Sequence, residues 1–206
     1  MLIIGLTGSI GMGKSAAADT FRARGVPVCD ADAEVHNLYR GAAVAPIESA
    51  FPGTTTADGV DREKLAAHLL ADTSGFKRLE AIVHPLVRAA ERAFLVAEAA
   101  DNAWAAVLEI PLLFETGGDA HVDATVVVSA PAEMQKARVL ARPGMTEDKL
   151  TQILARQWPD ERKRAAATYV VDTGGTLAFT AEQIDVLLSE LKSGVRSAHA
   201  FERDWR

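Results

Sequence analysis

Gly8-Ser9-Ile10-Gly11-Met12-Gly13-Lys14-Ser15 fills every fixed position of the pattern G-x-x-x-x-G-K-[ST]. Just before it, Leu2 to Thr7 is a short apolar run that reads as a strand. Just after it, a helix is expected from Lys14 to about Arg24, ended by Gly25. In a strand–glycine loop–helix unit, successive backbone N–H groups turn inward and cradle phosphate oxygens. Glycine lets the main chain come close, and the helix N-terminus adds its positive dipole end. Gly13 stands where a side chain would strike the phosphates. Lys14 reaches the β and γ phosphates, and the Ser15 hydroxyl is placed to hold Mg²⁺. The loop specifies a nucleoside triphosphate and leaves the reaction open.

Working outward, Val26–Asp30 reads as a second strand, and the pattern is helical from Ala31 to Ala100. One helix opens at Asp61-Arg62-Glu63-Lys64, with Leu65, Leu69 and Leu70 as its apolar face. Another runs from Pro85 to Ala100, with Leu86, Ala89, Ala90, Ala93, Phe94 and Ala97 on one face; Pro85 fits a helix start or a kink. Phe51-Pro52-Gly53 and Ala57-Asp58-Gly59 read as turns between helices. Further strands are expected at Trp104–Ile110, Ala124–Ser129 and Tyr169–Asp172. Helices are expected from Pro131 to about Arg142, after a cap at Thr146, and over about Thr180–Lys192. The tail Ser193 to Arg206 is expected to be poorly ordered. The fold class is therefore α/β: a parallel sheet of about five strands flanked by helices. We read one domain over 1–206, with a core of about 1–30, 101–135 and 168–193. A helical insert covers about 31–100, and a small basic lobe about 138–164.

Composition narrows the function classes. With 49% apolar and 24% charged residues in 206, the chain can build a core without staples. A single cysteine, Cys29, excludes an internal disulfide framework, and it reads as a core residue. No apolar run is long enough to span a bilayer, and no basic residue precedes Lys14, so the expectation is a cytoplasmic protein with no membrane partner. A net charge of −6 argues against a nucleic-acid partner. Within this acidic chain, residues 136–164 hold eight basic and four acidic side chains. That patch fits a small anionic ligand or a solvated helical face.

In an open parallel sheet, ligands bind beyond the carboxyl ends of the strands. Asp30-Ala31-Asp32 follows the second strand there, one strand connection after the phosphate loop. A carboxylate there can orient an attacking hydroxyl and take its proton, or serve as a helix cap. Beside the phosphate loop we favour function, and Asp32 over Asp30. Arg138 and Arg142 are four apart on an expected helix and favour phosphate contact over a solvated face. Glu109, at a strand end, reads either as an acid ordering water around Mg²⁺ or as a plain strand-end residue. His84 either places an acceptor or stops a helix before Pro85. Glu115 is functional or caps a turn.

Several stretches taken together, in order, resemble the dephospho-CoA kinase family. They are Gly5 through Ser15, Asp30-Ala31-Asp32, Val83-His84-Pro85-Leu86-Val87 and Ile110-Pro111-Leu112-Leu113-Phe114-Glu115, with Arg138, Arg142, Gln157 and Tyr169-Val170-Val171-Asp172. The resemblance covers about residues 2 to 190. It implies a P-loop core, a helical acceptor-side lobe and a lid, with ATP phosphorylating the ribose 3′-hydroxyl of dephospho-CoA. It places Gly8 and Gly11 through Ala16, Met12 included, on the ATP phosphates. It makes Asp32 the base or the hydroxyl-orienting residue and puts Arg138 and Arg142 in the lid. His84, Leu112 and Glu115 border the acceptor. Thr168 and Thr173 stand where the family has an acid and an amide.

From the residues alone, two other readings stay open: a kinase of another nucleotide or small metabolite, and a nucleotide-operated regulatory protein. There is no guanine-reading Asn-Lys-x-Asp stretch, which argues against a GTPase. The arginine pair and Asp32 favour a kinase over a switch. Nothing in the sequence decides the oligomeric state.

Overall fold

The six residues of β1 (Leu2–Thr7) are all buried, because both faces of this strand are covered. In the computed structural model, which describes residues 1–72, 74–194 and 200–205, the elements follow in order. They are α1 (Lys14–Ala23), β2 (Val28–Asp30), α2 (Ala31–Leu38), α3 (Val44–Ala50), β3 (Thr55–Thr56), β4 (Gly59–Val60), α4 (Arg62–Ala71) and α5 (Gly75–Ala100). Then come β5 (Ala105–Glu109), β6 (Ala124–Ser129), α6 (Ala132–Leu140), α7 (Glu147–Leu154), α8 (Asp160–Ala166), β7 (Tyr169–Asp172) and α9 (Leu177–Gly194).

The chain divides into two compact units, Met1–Cys29 with Leu95–Arg206, and Asp30–Phe94. The first is built on a five-stranded parallel sheet in the order β2-β5-β1-β6-β7, with β1 in the middle. Leu6 is in register with Glu109 of β5, and Thr7 with Val127 of β6. Ala17, Ala18 and Phe21 of α1 and Ile184, Leu187 and Leu188 of α9 pack with Ile4, Leu6, Val107, Val126 and Val128. Full burial of a side chain such as Phe21 is worth about 2–3 kcal/mol. Residues of opposite parity, Ile3, Leu108 and Val127, are buried too, so the sheet is covered on both sides.

The second unit packs α2, α3, α4 and most of α5 around Ile47, Phe51, Leu65, Leu69 and Val83. Asp61 caps α4, its Oδ1 accepting from the amides of Glu63 and Lys64. At four points the structure departs from the sequence expectation. Leu70 is 80% exposed, because it lies off the stripe that Leu65 and Leu69 share at i and i+4. Helix α5 starts ten residues before Pro85 and runs through it. The proline forgoes one ladder hydrogen bond, but Phe76, Leu79, Ile82 and Val83 still hold the preceding turns in the core. On the same helix the inward stripe runs through Val83, Val87 and Glu91, while Ala89 and Ala93 are exposed. A charged residue inside the stripe, and alanines outside it, hid the true face. Finally, Ala57-Asp58 is the turn of a small antiparallel hairpin, β3–β4, rather than a plain inter-helix turn.

The expected loose tail is also corrected. Ser193 and Gly194 end α9, while 195–199 and Arg206 lie outside the described residues. Beyond them, Phe201 and Trp205 are buried, four apart on one short helical turn. The Ala200 amide donates to Asp123 Oδ1 at 3.0 Å, and the Trp205 indole N–H to the His121 carbonyl at 2.8 Å. Two large apolar side chains on one face give the segment enough buried surface to dock.

Candidate active site

The phosphate loop leaves the carboxyl end of the central strand and returns into α1 through two left-handed glycines, Gly11 at φ 77° and Gly13 at φ 86°. A Cβ on Gly11 would sit 2.6 Å from Val139 Cγ2, and one on Gly13 would sit 3.1 Å from Thr173. Both the dihedrals and the crowding demand glycine. Gly13 is the N-cap of α1, and no side chain caps that helix, so the loop presents its helix start to an external anion. Ser15 is exposed in the first turn, and Lys14 opens it. Met12 is buried, and its sulfur accepts from the Ala130 amide.

Around this loop the first unit supplies a set of braces. The Thr173 hydroxyl donates to the Met12 carbonyl at 2.8 Å. Arg138 on α6 donates to the Thr173 carbonyl at 2.7 Å, so its guanidinium is held within reach of the loop's own brace. The Ile10 amide donates to Gln157 Oε1 at 3.1 Å, and the Ile10 carbonyl accepts from Gln135 Nε2 at 2.8 Å. Glu109 ends β5 as a buried carboxylate, with its backbone in register with Leu6, two residues before the loop. Arg142 is exposed and lies past the end of α6 at Leu140, so it does not share a helix face with Arg138. The helix stops before the Pro143-Gly144 pair, shortening the expected element by two residues.

Beyond β5, Leu112 is half-buried, and Glu115 is tied into the structure. Its Oε1 accepts from the Trp158 amide at 2.6 Å and pairs with the Lys163 ammonium at 2.9 Å. Its Oε2 is buried without a hydrogen-bond partner among the described residues. Several members of the basic patch hold structure: Lys163 is buried, Lys136 pairs with Glu147, Lys149 donates to the Gly144 carbonyl, and Arg162 stacks on Trp158. Thr168 exchanges hydrogen bonds with Thr125, which joins the start of β7 to β6.

In the second unit, Asp30 caps α2: its Oδ1 accepts from the amides of Asp32 and Ala33 at 2.9 and 3.1 Å. Asp32 is exposed in the first turn of that helix, and His84 is exposed on α5. The cap role therefore falls to Asp30, and Asp32 keeps a carboxylate turned to solvent. Sequence reasoning missed Gln135 and Lys163 as contributors, and it marked Thr173 only as a departure from the family pattern, not as a brace of the loop. Gln157 carried a signal through the family resemblance.

A central-strand phosphate loop in a five-stranded parallel sheet defines a P-loop nucleotide-binding protein. The model of the family described as dephospho-CoA kinase matches residues 2–178. The dephospho-CoA kinase of Mesorhizobium japonicum is 55% identical over 192 residues, covering 93% of this chain and 98% of that one. The crystal structure of TT1252 from Thermus thermophilus is 37% identical, with a TM-score of 0.79 over 92% of this chain and 97% of that chain. The dephospho-CoA kinase from Campylobacter jejuni, at 23% identity and a TM-score of 0.70 over 93% of this chain and 98% of that one, shares the fold. The chain belongs to the dephospho-CoA kinase family. It is an ATP-using kinase. Among the described residues, no helix is long and apolar enough to cross a membrane.

Proposed function

We propose that the protein transfers the γ-phosphoryl group of ATP to the ribose 3′-hydroxyl of dephospho-CoA, releasing CoA and ADP. The observation that carries this reading is the family match across 2–178. In this reading Asp32 takes the proton of the attacking hydroxyl, whose oxygen bonds to the γ-phosphorus as the bond to the β–γ bridging oxygen breaks. Lys14 balances charge on the β and γ phosphates, with the amides of Gly11 through Ala16 around them. Ser15 would hold Mg²⁺ and Glu109 would order its water, and the ion would supply further charge neutralisation; the exposed hydroxyl and the buried carboxylate are the oxygen donors that a hard cation takes.

Residues 138–164 act as a lid. Arg138 and Arg142 come onto the phosphates when the lid closes, and closure excludes water as a competing acceptor. His84, Leu112 and Glu115 border the acceptor. The unpartnered Glu115 Oε2 is a buried acceptor for a substrate donor. A cytoplasmic location goes with this reading. The test is ADP release from ATP and Mg²⁺ with and without dephospho-CoA, with product mass. Acceptor-dependent release with one phosphate gained is expected. Release that ignores dephospho-CoA and follows another hydroxyl compound would discard this substrate.

A further inference from the structure

Ile10 sits at the tip of the phosphate loop, and both of its main-chain polar groups are taken by glutamine side chains. Its N–H donates to Gln157 Oε1 and its carbonyl accepts from Gln135 Nε2. The two glutamines flank α7: Gln135 lies just ahead of the basic lobe and Gln157 within it, between α7 and α8. Gln135 is buried on α6, ahead of Arg138. Gln157 follows α7 and precedes Trp158, whose amide is pinned by Glu115. The carboxamides are matched to their partners, one presenting oxygen to an N–H and the other nitrogen to a carbonyl. A displacement at either glutamine pulls on the same loop residue, through one or the other of the two peptide units that flank it.

We propose that Gln135 and Gln157 are positioning residues that hold the phosphate loop in its anion-receiving shape and tie that shape to the lobe carrying Arg138 and Arg142. This rests on the kinase reading of the loop. Neither glutamine touches the reacting atoms: Ile10 precedes the amides assigned to the phosphates, so the effect passes through the loop backbone. A loop main chain displaced by an ångström is enough to spoil in-line geometry, and the coupling makes loop order and lobe position rise and fall together.

The test uses Gln157→Met, which removes the acceptor at similar size, and Gln157→Glu, which retains it. Gln157→Met is expected to lower kcat about tenfold, the loss of one positioning hydrogen bond, while KM for dephospho-CoA stays within about threefold. Gln157→Glu is expected to regain most of that loss. Hydrogen exchange at the Ile10 amide, read without substrates, is expected to be about tenfold faster in Gln157→Met than in wild type. Because it needs no turnover, this readout separates a failed clamp from a failed substrate assignment. Unchanged kcat, unchanged exchange at Ile10, or a Gln157→Glu variant as impaired as Gln157→Met would each overturn the proposal.

Discussion

The Lys163 ammonium meets the Glu115 carboxylate at 2.9 Å with the lysine side chain wholly removed from solvent. The same ammonium donates to the Pro111 carbonyl at 3.3 Å, which also accepts from the Thr7 hydroxyl at 3.2 Å. One buried pair thus joins α8 to the loop after β5 and to the last residue of β1. Removing one partner of a buried pair strands a charge, which costs about 3–5 kcal/mol. Lys163→Met is expected to lose stability on that scale. The double variant Lys163→Met/Glu115→Gln is expected to lose less than the two single variants together. Denaturant midpoints for the four proteins check this. A Lys163→Met variant within about 1 kcal/mol of wild type would show that the pair contributes no more than an exposed one.

Lys14 is the one cation that the loop pattern itself requires. Lys14→Ala is expected to reduce transfer about 10²-fold or more, since a preorganised charge at the phosphates is lost. The measurement is turnover at saturating ATP, alongside thermal unfolding to verify the fold. Wild-type turnover in this variant would remove the phosphate-loop assignment.

Asp30 and Asp32 lie two residues apart and are expected to separate cleanly. Asp30→Ala loses the cap of α2 and is expected to cost about 1 kcal/mol of stability. Asp32→Asn is expected to cut kcat about 10²- to 10⁴-fold with little change in ATP affinity, because a base is lost and no phosphate contact is. Stopped-flow or steady-state kinetics with nucleotide titration decide it, and an unaltered kcat would strip Asp32 of its role.

These assignments differ in how much of them the sequence carried. β1, β6 and β7 were legible to the residue, because each is a short, largely apolar run containing adjacent β-branched residues and closed by glycine, proline or polar residues. The phosphate loop was legible because its dihedrals leave no choice but glycine. The Ile10–Gln157 hydrogen bond was not, since it joins residues 147 apart through a side chain that any loop can carry. Lys163 was read within a basic patch because its helix neighbours are charged, and only the packed structure separates the buried lysine from them. The docked tail was missed for the opposite reason: Phe201 and Trp205 are spaced for one face, but a terminal segment has no neighbouring element in sequence to reveal what that face covers.

Glu91 lies on the buried stripe of α5, and burial pushes its carboxyl up to about 7 against the favourable charge of Arg88, with Glu34 raising it further. The ordinary value is 4.5, so between about 4.5 and about 7 the unfolded chain has lost a proton that the folded chain keeps. Stability therefore falls as pH rises through that window. Below it both states are protonated, and above it both are ionised. The full loss is on the order of 3 kcal/mol. Glu91→Gln keeps the shape without the charge, so it is expected to be more stable than wild type at pH 8 and to flatten this part of the profile. Unfolding midpoints at pH 5, 6, 7 and 8 for both proteins check the sign. Parallel profiles for the two would show that the buried carboxyl is not what titrates.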